Sequence, residues 1–72
     1  MIPYQVEHWF ETDGGRWRSR FSEVGPGGMI GQTAEFAHGE SGSFAECCDA
    51  FRGVKSIEEF NARCKELAEQ SN

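Results

Sequence analysis

The sequence predicts an α+β fold in which a three-stranded antiparallel sheet is followed by two helices that pack on one of its faces. Apolar and polar side chains alternate, as in half-buried strands, over residues 4–11, 16–24 and 29–36. Glycine-rich turns separate these three segments. Apolar residues then recur three and four positions apart, as in amphipathic helices, over residues 43–53 and 56–70.

The first two strands are predicted to form a hairpin around Asp13-Gly14, a pair that favours tight turns between strands. A two-residue loop at this pair places Phe10 opposite Trp17 on the inner face. Cross-strand pairs of matched chemistry each stabilise a sheet by about 0.2–1 kcal/mol. On the outer face, the same register predicts such pairs between Glu11 and Arg16, between Glu7 and Arg20, and between Trp9 and Arg18.

A second turn, Gly25-Pro26-Gly27-Gly28, leads into the third strand, and Pro26-Gly27 suits the centre of a type II turn. A turn centred on these two residues predicts the strand register, with Arg18 opposite Glu35 and Trp17 opposite Phe36. Three apolar side chains of the third strand are then also predicted on the inner face: Ile30, Ala34 and Phe36. Gln32 is predicted on the same face and interrupts the apolar pattern.

Each helix is predicted to begin with a capping box, in which serine and glutamate satisfy each other's free backbone N–H groups. The boxes run from Ser43 to Glu46 and from Ser56 to Glu59. Gly53 suits the C′ position of the first helix, because glycine adopts the left-handed conformation without steric cost. The apolar stripes consist of Phe44, Cys47, Cys48 and Phe51 in the first helix and of Ile57, Phe60, Cys64 and Leu67 in the second.

The length and the cysteine content suggest one intracellular domain. The 72 residues are expected to form a single domain, residues 1–72, without an internal repeat or linker. No apolar run approaches the roughly 20 residues that span a bilayer, and the N-terminus lacks a secretory signal pattern. An odd number of cysteines is typical of a reducing compartment, so we expect a cytoplasmic protein.

The formal net charge of −5 favours a protein partner with a basic surface. Nucleic acid and anionic membranes are poor partners, because phosphate contacts need a surplus of Lys and Arg. The arginine-rich second strand, with tryptophans beside it, does resemble a nucleic-acid-binding ribbon. The predicted registers, however, place a glutamate opposite each arginine: Glu11 with Arg16, Glu35 with Arg18, and Glu7 with Arg20.

The cysteines and histidines are candidates for chemistry, and we interpret them as structural. Adjacent helical residues diverge by about 100°, so Cys47 and Cys48 do not share one metal ion readily. A nucleophile pair of Cys48 and His8 would need an electropositive, partly open setting, whereas the neighbours here are apolar. His8 is expected at the rim of the core with one hydrogen bond, and His38 in solvent. We therefore predict no catalytic residue, metal or cofactor, and no enzyme.

The middle of the chain resembles the YegP-like family of small domains. The resemblance rests on residues 15–21, residues 28–36 and a capped helix that ends in Phe51-Arg52-Gly53-Val54-Lys55. The family's unit joins a strand pair by an Asn-Gly turn, ends its third strand in Ser-x-x-aromatic and closes its helix in Val-Lys. This chain instead has a Gly-Gly turn, Thr33 in place of serine and an extra helix. The resemblance implies the strand and helix order but no reaction, and tandem copies in the family suggest that this single copy forms a homodimer.

These observations together predict a small, acidic interaction protein. Size and charge are also similar to those of phage-encoded inhibitors, including anti-CRISPR proteins, which implies inhibition by covering a basic nucleic-acid-binding surface. Tryptophan is a frequent anchor of protein interfaces, so Trp9 on the outer face is a candidate contact. Acidic first turns are also ordinary features of helices. The further candidate contacts are the carboxylates near the helix starts: Glu40, Glu46, Asp49, Glu58 and Glu59.

Overall fold

The computed structural model describes residues 3–39 and 42–70 and has the α+β fold that the sequence predicts. Three strands form one antiparallel sheet with the second strand in the centre, and two helices pack against one face. No helix in the described part of the chain has the length and apolar character needed to cross a membrane. The elements are β1 (Tyr4–Glu11), β2 (Arg16–Val24), β3 (Ile30–Ala37), α1 (Phe44–Ala50) and α2 (Ile57–Gln70).

The hairpin of β1 and β2 has the predicted register, with Phe10 opposite Trp17 and Glu11 opposite Arg16. Its loop differs from the prediction, because residues 12–15 all lie outside the strands. Gly15 has a φ of 64°, and its N–H donates to the carbonyl of Glu11 at 2.8 Å. The loop therefore needs only one left-handed residue, a glycine, and the longer loop leaves the strand pairing unchanged.

The predicted register between β2 and β3 is wrong by two positions. Glu35 lies opposite Arg20 rather than Arg18, and Phe36 lies opposite Ser19 rather than Trp17. An even shift leaves the side chains of residues 33–37 on their predicted faces, because side chains in a strand alternate with a period of two. The prediction of an inner face that contains Ala34 and Phe36 is therefore unaffected, and both residues pack against the core.

The turn between β2 and β3 explains this shift. Gly27 has φ 73° and ψ 11°, and the N–H of Gly28 donates to the carbonyl of Gly25 at 3.1 Å, as in a type II turn. Gly28 is also left-handed, with a φ of 82°, which lengthens the connection. A bulge between Ser22 and Val24 displaces the pairing further.

The same bulge removes Ile30 from the core, contrary to the prediction. Ile30 pairs with Val24 on the turn side of the bulge, and its side chain is 52% exposed. Gln32 is exposed as well. The described helices do not cover this end of β3. Gln32 therefore lies outside the apolar core and does not interrupt it.

The core is a cluster of aromatic rings between the centre of the sheet and the two helices. Phe51 and Phe60 stack with ring centroids 4.4 Å apart, and Phe21 lies 5.9 Å from Phe60. Val54, in the segment between the helices, completes the buried cluster. Aromatic side chains bury large areas, so these rings contribute most of the apolar burial available to so short a chain.

Both helices begin where predicted, but among the described residues only the serine half of each capping box is present, and the Glu59 carboxylate accepts the N–H of Lys55 instead. The Ser43 hydroxyl accepts a hydrogen bond from the Glu46 N–H at 3.2 Å, and the Ser56 hydroxyl accepts one from the Glu59 N–H at 3.1 Å. The end of α1 differs from the prediction, since the helix stops at Ala50. Gly53 is left-handed, with a φ of 81°, and so shapes the link to α2 rather than the C′ position of α1.

Candidate functional site

The outer face of the sheet carries a ladder of ion pairs. Arg18 lies 3.4 Å from Glu11 and 3.1 Å from Glu35, and Arg20 lies 3.0 Å from Glu7. The predicted ion pairs of Arg18 with Glu35 and of Arg20 with Glu7 are therefore present. The predicted pair of Arg16 with Glu11 is not, because Arg18 takes that carboxylate. Exposed or half-exposed pairs of this kind stabilise a protein by about 0–1 kcal/mol each.

Trp9 lies on this ladder and is half-buried, not freely exposed as we expected. Arg18 is its backbone partner, but the guanidinium over its ring belongs to Arg20, 5.3 Å from the ring centroid. The arginine therefore covers one face of the ring. The structure thus gives Trp9 an intramolecular cation–π contact.

The acidic side chains predicted to contact a partner are exposed where the structure describes them: Glu46, Asp49, Glu58 and Glu59. The prediction that they lie near helix starts is wrong for Asp49, which is in the last turn of α1. Glu40 lies outside the described residues. Asp49 forms an ion pair with Arg52, and the Glu59 carboxylate accepts the backbone N–H of Lys55 at 3.0 Å. Within the described part of the chain, Glu46 and Glu58 form no ion pair.

Three aromatic side chains form a partly exposed group at one end of the inner face, here called the aromatic patch: Phe10, Trp17 and Phe44. The Trp17 ring lies 5.7 Å from Phe10 and 6.0 Å from Phe44, edge to face in both cases. Phe10 is 47% exposed and Phe44 is 54% exposed. The predicted periodicity placed both rings on core-facing stripes. They are uncovered because Phe10 lies near the end of β1 and Phe44 is the first residue of α1.

A buried cluster of polar side chains, the His–Ser–His cluster, lies beside this patch. The Ser19 side chain is fully buried in the central strand. Its Oγ lies 2.7 Å from Nδ1 of His8 and 2.7 Å from Nε2 of His38. His8 has the single hydrogen bond that we predicted. His38 is half-buried and packs edge-on against Phe36, so the prediction of a solvent-exposed ring is wrong.

The hydrogen-bond geometry of the cluster suits two neutral histidines. A serine hydroxyl has one hydrogen, so Ser19 donates to one ring and accepts an N–H from the other. Burial lowers the pKa of His8. Burial and the nearby His8 also lower the pKa of His38, and the Glu46 carboxylate opposes this only in part. Protonation of both rings would set two positive charges around one oxygen.

Cys47 lies next to this cluster and is fully buried. Burial raises the pKa of its thiol, and a hydrogen bond with Ser19 opposes this in part. Burial also raises the pKa of the Cys64 thiol. The prediction of core cysteines is thus confirmed for Cys47, whereas Cys48 and Cys64 are only half-buried. Nδ1 of His8 forms a hydrogen bond with Ser19, and no hydrogen bond joins His8 to Cys48 among the described residues.

A serine bonded to histidine resembles an activated nucleophile. The Ser19 side chain has no exposed area, however, so a substrate does not reach it in this conformation. The cluster instead joins β1, β2 and the end of β3. We did not single out Ser19 in the sequence, although the predicted hairpin register already places it opposite His8.

A cavity of about 330 Å³ opens at the end of β3. Arg16 was predicted to pair with Glu11, but Arg18 takes that carboxylate. Arg16 therefore forms no ion pair with a described residue. The sequence did not indicate this cavity, because the chain brings its walls together from distant positions: Arg16, Phe36, Ala37, His38, Gly39 and Leu67.

Among the described residues, no group of three or more His, Cys, Asp and Glu side chains has an arrangement that could hold a metal ion. Comparison with protein-family models, with curated proteins and with solved structures finds no match to this chain. The resemblance to the YegP-like family stays a prediction. The assignment of a function therefore rests on the geometry of the chain itself.

Proposed function

We propose that this chain is a non-enzymatic protein-binding module that covers a basic surface of its partner through the aromatic patch. The observation that carries the proposal is the pair of half-exposed phenylalanines, Phe10 and Phe44, held on either side of Trp17. Aromatic side chains are enriched at the centres of protein interfaces, where a few of them supply most of the binding energy.

The charge distribution supports a basic partner. On the outer face, three glutamates balance three arginines in number, and the other described residues include eight acidic and four basic side chains. The excess negative charge therefore lies away from the outer face. Glu46, in the first turn of α1, is exposed and follows Phe44 closely in the chain. A carboxylate at the rim of an aromatic contact favours association with cationic surfaces.

We propose that this binding inhibits the partner by covering its basic nucleic-acid-binding surface, as in anti-CRISPR proteins. An acidic protein competes electrostatically with nucleic acid for a basic groove. Burial of the exposed parts of Phe10 and Phe44 would add about 25 cal/mol per Å² of apolar area. The partner-binding role that we predicted for Trp9 receives less support, since Arg20 covers its ring.

The test is affinity capture of partners from a lysate with the wild-type chain and with the double variant Phe10→Ala, Phe44→Ala. Met29→Ala is the matched control, because Met29 is 73% exposed but lies at the opposite end of β2 from the patch. We expect that the double variant loses a partner with a basic surface and that the control keeps it. We also expect capture to fall as the salt concentration rises, because salt screens the attraction. Equal capture by wild type and double variant, or capture indifferent to salt, would contradict the proposal.

A second candidate function is the homodimeric role suggested by the YegP-like resemblance. The specific observation in its favour is the exposed half of β3, residues 30–33, on an edge strand of the sheet. An uncovered edge strand presents free backbone groups that can pair with a second copy. Size-exclusion chromatography with light scattering distinguishes the two candidates. A dimer that Gly31→Pro converts to a monomer would favour this alternative, and a strict monomer would exclude it.

A further inference from the structure

The cavity at the end of β3 has the dimensions of a small-molecule site. Its volume of about 330 Å³ falls at the lower end of the range found for ligand pockets, about 300–1,000 Å³. Phe36, Ala37 and Leu67 supply apolar walls, and Arg16 and His38 supply polar groups. An apolar pocket with a few convergent polar groups is the usual form of a binding site for a small organic molecule.

Arg16 is the arginine in the lining of this cavity. Its side chain is half-buried, and it forms no ion pair with a described residue. The carboxylate predicted to neutralise it, that of Glu11, is bound to Arg18 at 3.4 Å. An arginine without a carboxylate at ion-pair distance favours an anionic partner, and the planar fork of its guanidinium matches the two oxygens of a carboxylate.

His38 supplies a second polar group whose position is fixed. Its Nε2 is bonded to the fully buried Ser19 hydroxyl at 2.7 Å, and its ring packs edge-on against Phe36 and Phe51. When Ser19 donates to Nε2, the proton of the neutral ring is on Nδ1. In this tautomer Nδ1 of His38 is a hydrogen-bond donor. The hydrogen bond to Ser19 already holds the ring in place, so the His38 side chain loses little conformational entropy when a small molecule binds.

We propose that this cavity binds a small organic carboxylate with an apolar body, about the size of benzoate, with the carboxylate on Arg16 and the body against Phe36 and Leu67. A simple inorganic anion would leave these apolar walls in contact with water. The site is separate from the aromatic patch in its residues, and it does not depend on the proposed protein partner.

The test is titration of the full chain, labelled with ¹⁵N, by benzoate, by benzamide and by inorganic phosphate. We expect saturable shifts of the Arg16 and His38 resonances with benzoate, with a dissociation constant of about 1 mM or below. Benzamide has the same body without the charge, and phosphate has the charge without the body. We expect each to bind about tenfold or more weakly, the effect of losing a charge-assisted hydrogen bond or the apolar contact.

Substitutions then assign the binding to the cavity. Arg16→Gln is expected to weaken benzoate binding about tenfold or more, and Arg16→Lys, which keeps the charge but not the fork, to weaken it less. Arg52→Gln is the control, because Arg52 pairs with Asp49 on the exposed helix surface. Amide spectra of each variant report whether it is folded. The proposal fails if benzoate gives no saturable shift, if benzamide or phosphate binds as well as benzoate, or if Arg16→Gln and Arg52→Gln have the same effect.

Discussion

The inner face of the sheet has two ends that are built differently. Around Phe21, the strands and helices enclose stacked rings, and Phe60 is fully buried there. Two residues earlier in β2, the inward-facing side chain is Ser19, whose hydroxyl lies between two histidines. The first end is stabilised by apolar burial, which does not depend on proton concentration. The second is stabilised by hydrogen bonds that need neutral imidazoles.

This difference shows how a short chain combines stability with an accessible surface. The ring cluster is completed by both helices, so it leaves little apolar area for a partner. The polar end is bordered by the aromatic patch, where Phe10 and Phe44 remain about half exposed. The stabilising core and the proposed binding surface therefore lie at different places on one sheet face, and substitutions at the two places should differ in kind as well as in size.

The largest effect is expected from the apolar end. Phe60→Ala removes a fully buried ring that stacks on Phe51, and such substitutions typically cost about 3–5 kcal/mol. A domain of this size is stable by only about 4–11 kcal/mol, so much of that margin is lost. Phe10→Ala, at a ring that is 47% exposed, is the matched control and should cost much less. Urea denaturation measures both, and equal losses would contradict the assignment of the core.

A smaller effect is expected from Ser19→Ala at the polar end. The change leaves two half-buried histidine nitrogens without their partner, which costs about 1–3 kcal/mol. Ser22→Ala is the control, because Ser22 is only 2% exposed but bonds to neither histidine. The urea concentration at the unfolding midpoint measures the loss of stability in each variant. If Ser22→Ala destabilises the chain as much as Ser19→Ala, the loss reflects burial of serine rather than the cluster.

The polar end should also make stability depend on pH. The pKa values of His8 and His38 are both lowered from 6.5 in the folded chain, chiefly by burial. The unfolded chain therefore binds more protons near this pH, and stability falls as the pH drops below about 6.5 through the lowered folded values. We expect the midpoint of urea unfolding to decrease between pH 7.5 and about 5.5, within the window set by the histidines.

The double variant His8→Gln, His38→Gln isolates the histidines in this pH series. Its unfolding midpoint should change less over the same range than that of the wild type, whatever its absolute stability. Glu7, whose pKa is lowered by hydrogen bonds from Gln5 and Arg20, acts in a more acidic pH window, below its ordinary pKa of 4.5. An unchanged slope in the double variant would show that other groups cause the dependence.

The two strand pairings differ in how far the sequence could predict them. The pairing of β1 with β2 was predictable because alternation and charge pairs, such as Glu7 with Arg20, agree on one register. The pairing of β2 with β3 was not, since the left-handed Gly28 and the bulge after Ser22 add residues that no alternation pattern shows. The cavity was missed for a different reason. Its walls come from β2, from the end of β3 and from α2, and no local pattern shows that these distant positions meet.

The smallest effect is expected on the outer face, where Arg20→Gln removes the ion pair with Glu7 and the contact over Trp9. These groups are partly exposed, so we expect a loss of about 1 kcal/mol or less. Arg52→Gln, which breaks a more exposed pair with Asp49, should cost less still. Because salt screens ion pairs, the loss in Arg20→Gln should shrink in 1 M NaCl towards the part owed to the cation–π contact, about 0.5–1 kcal/mol. A loss that does not depend on salt would mean that Arg20 acts only through its packing on Trp9. The outer face would then be stabilised by packing, as the core around Phe21 is, and not by ion pairs.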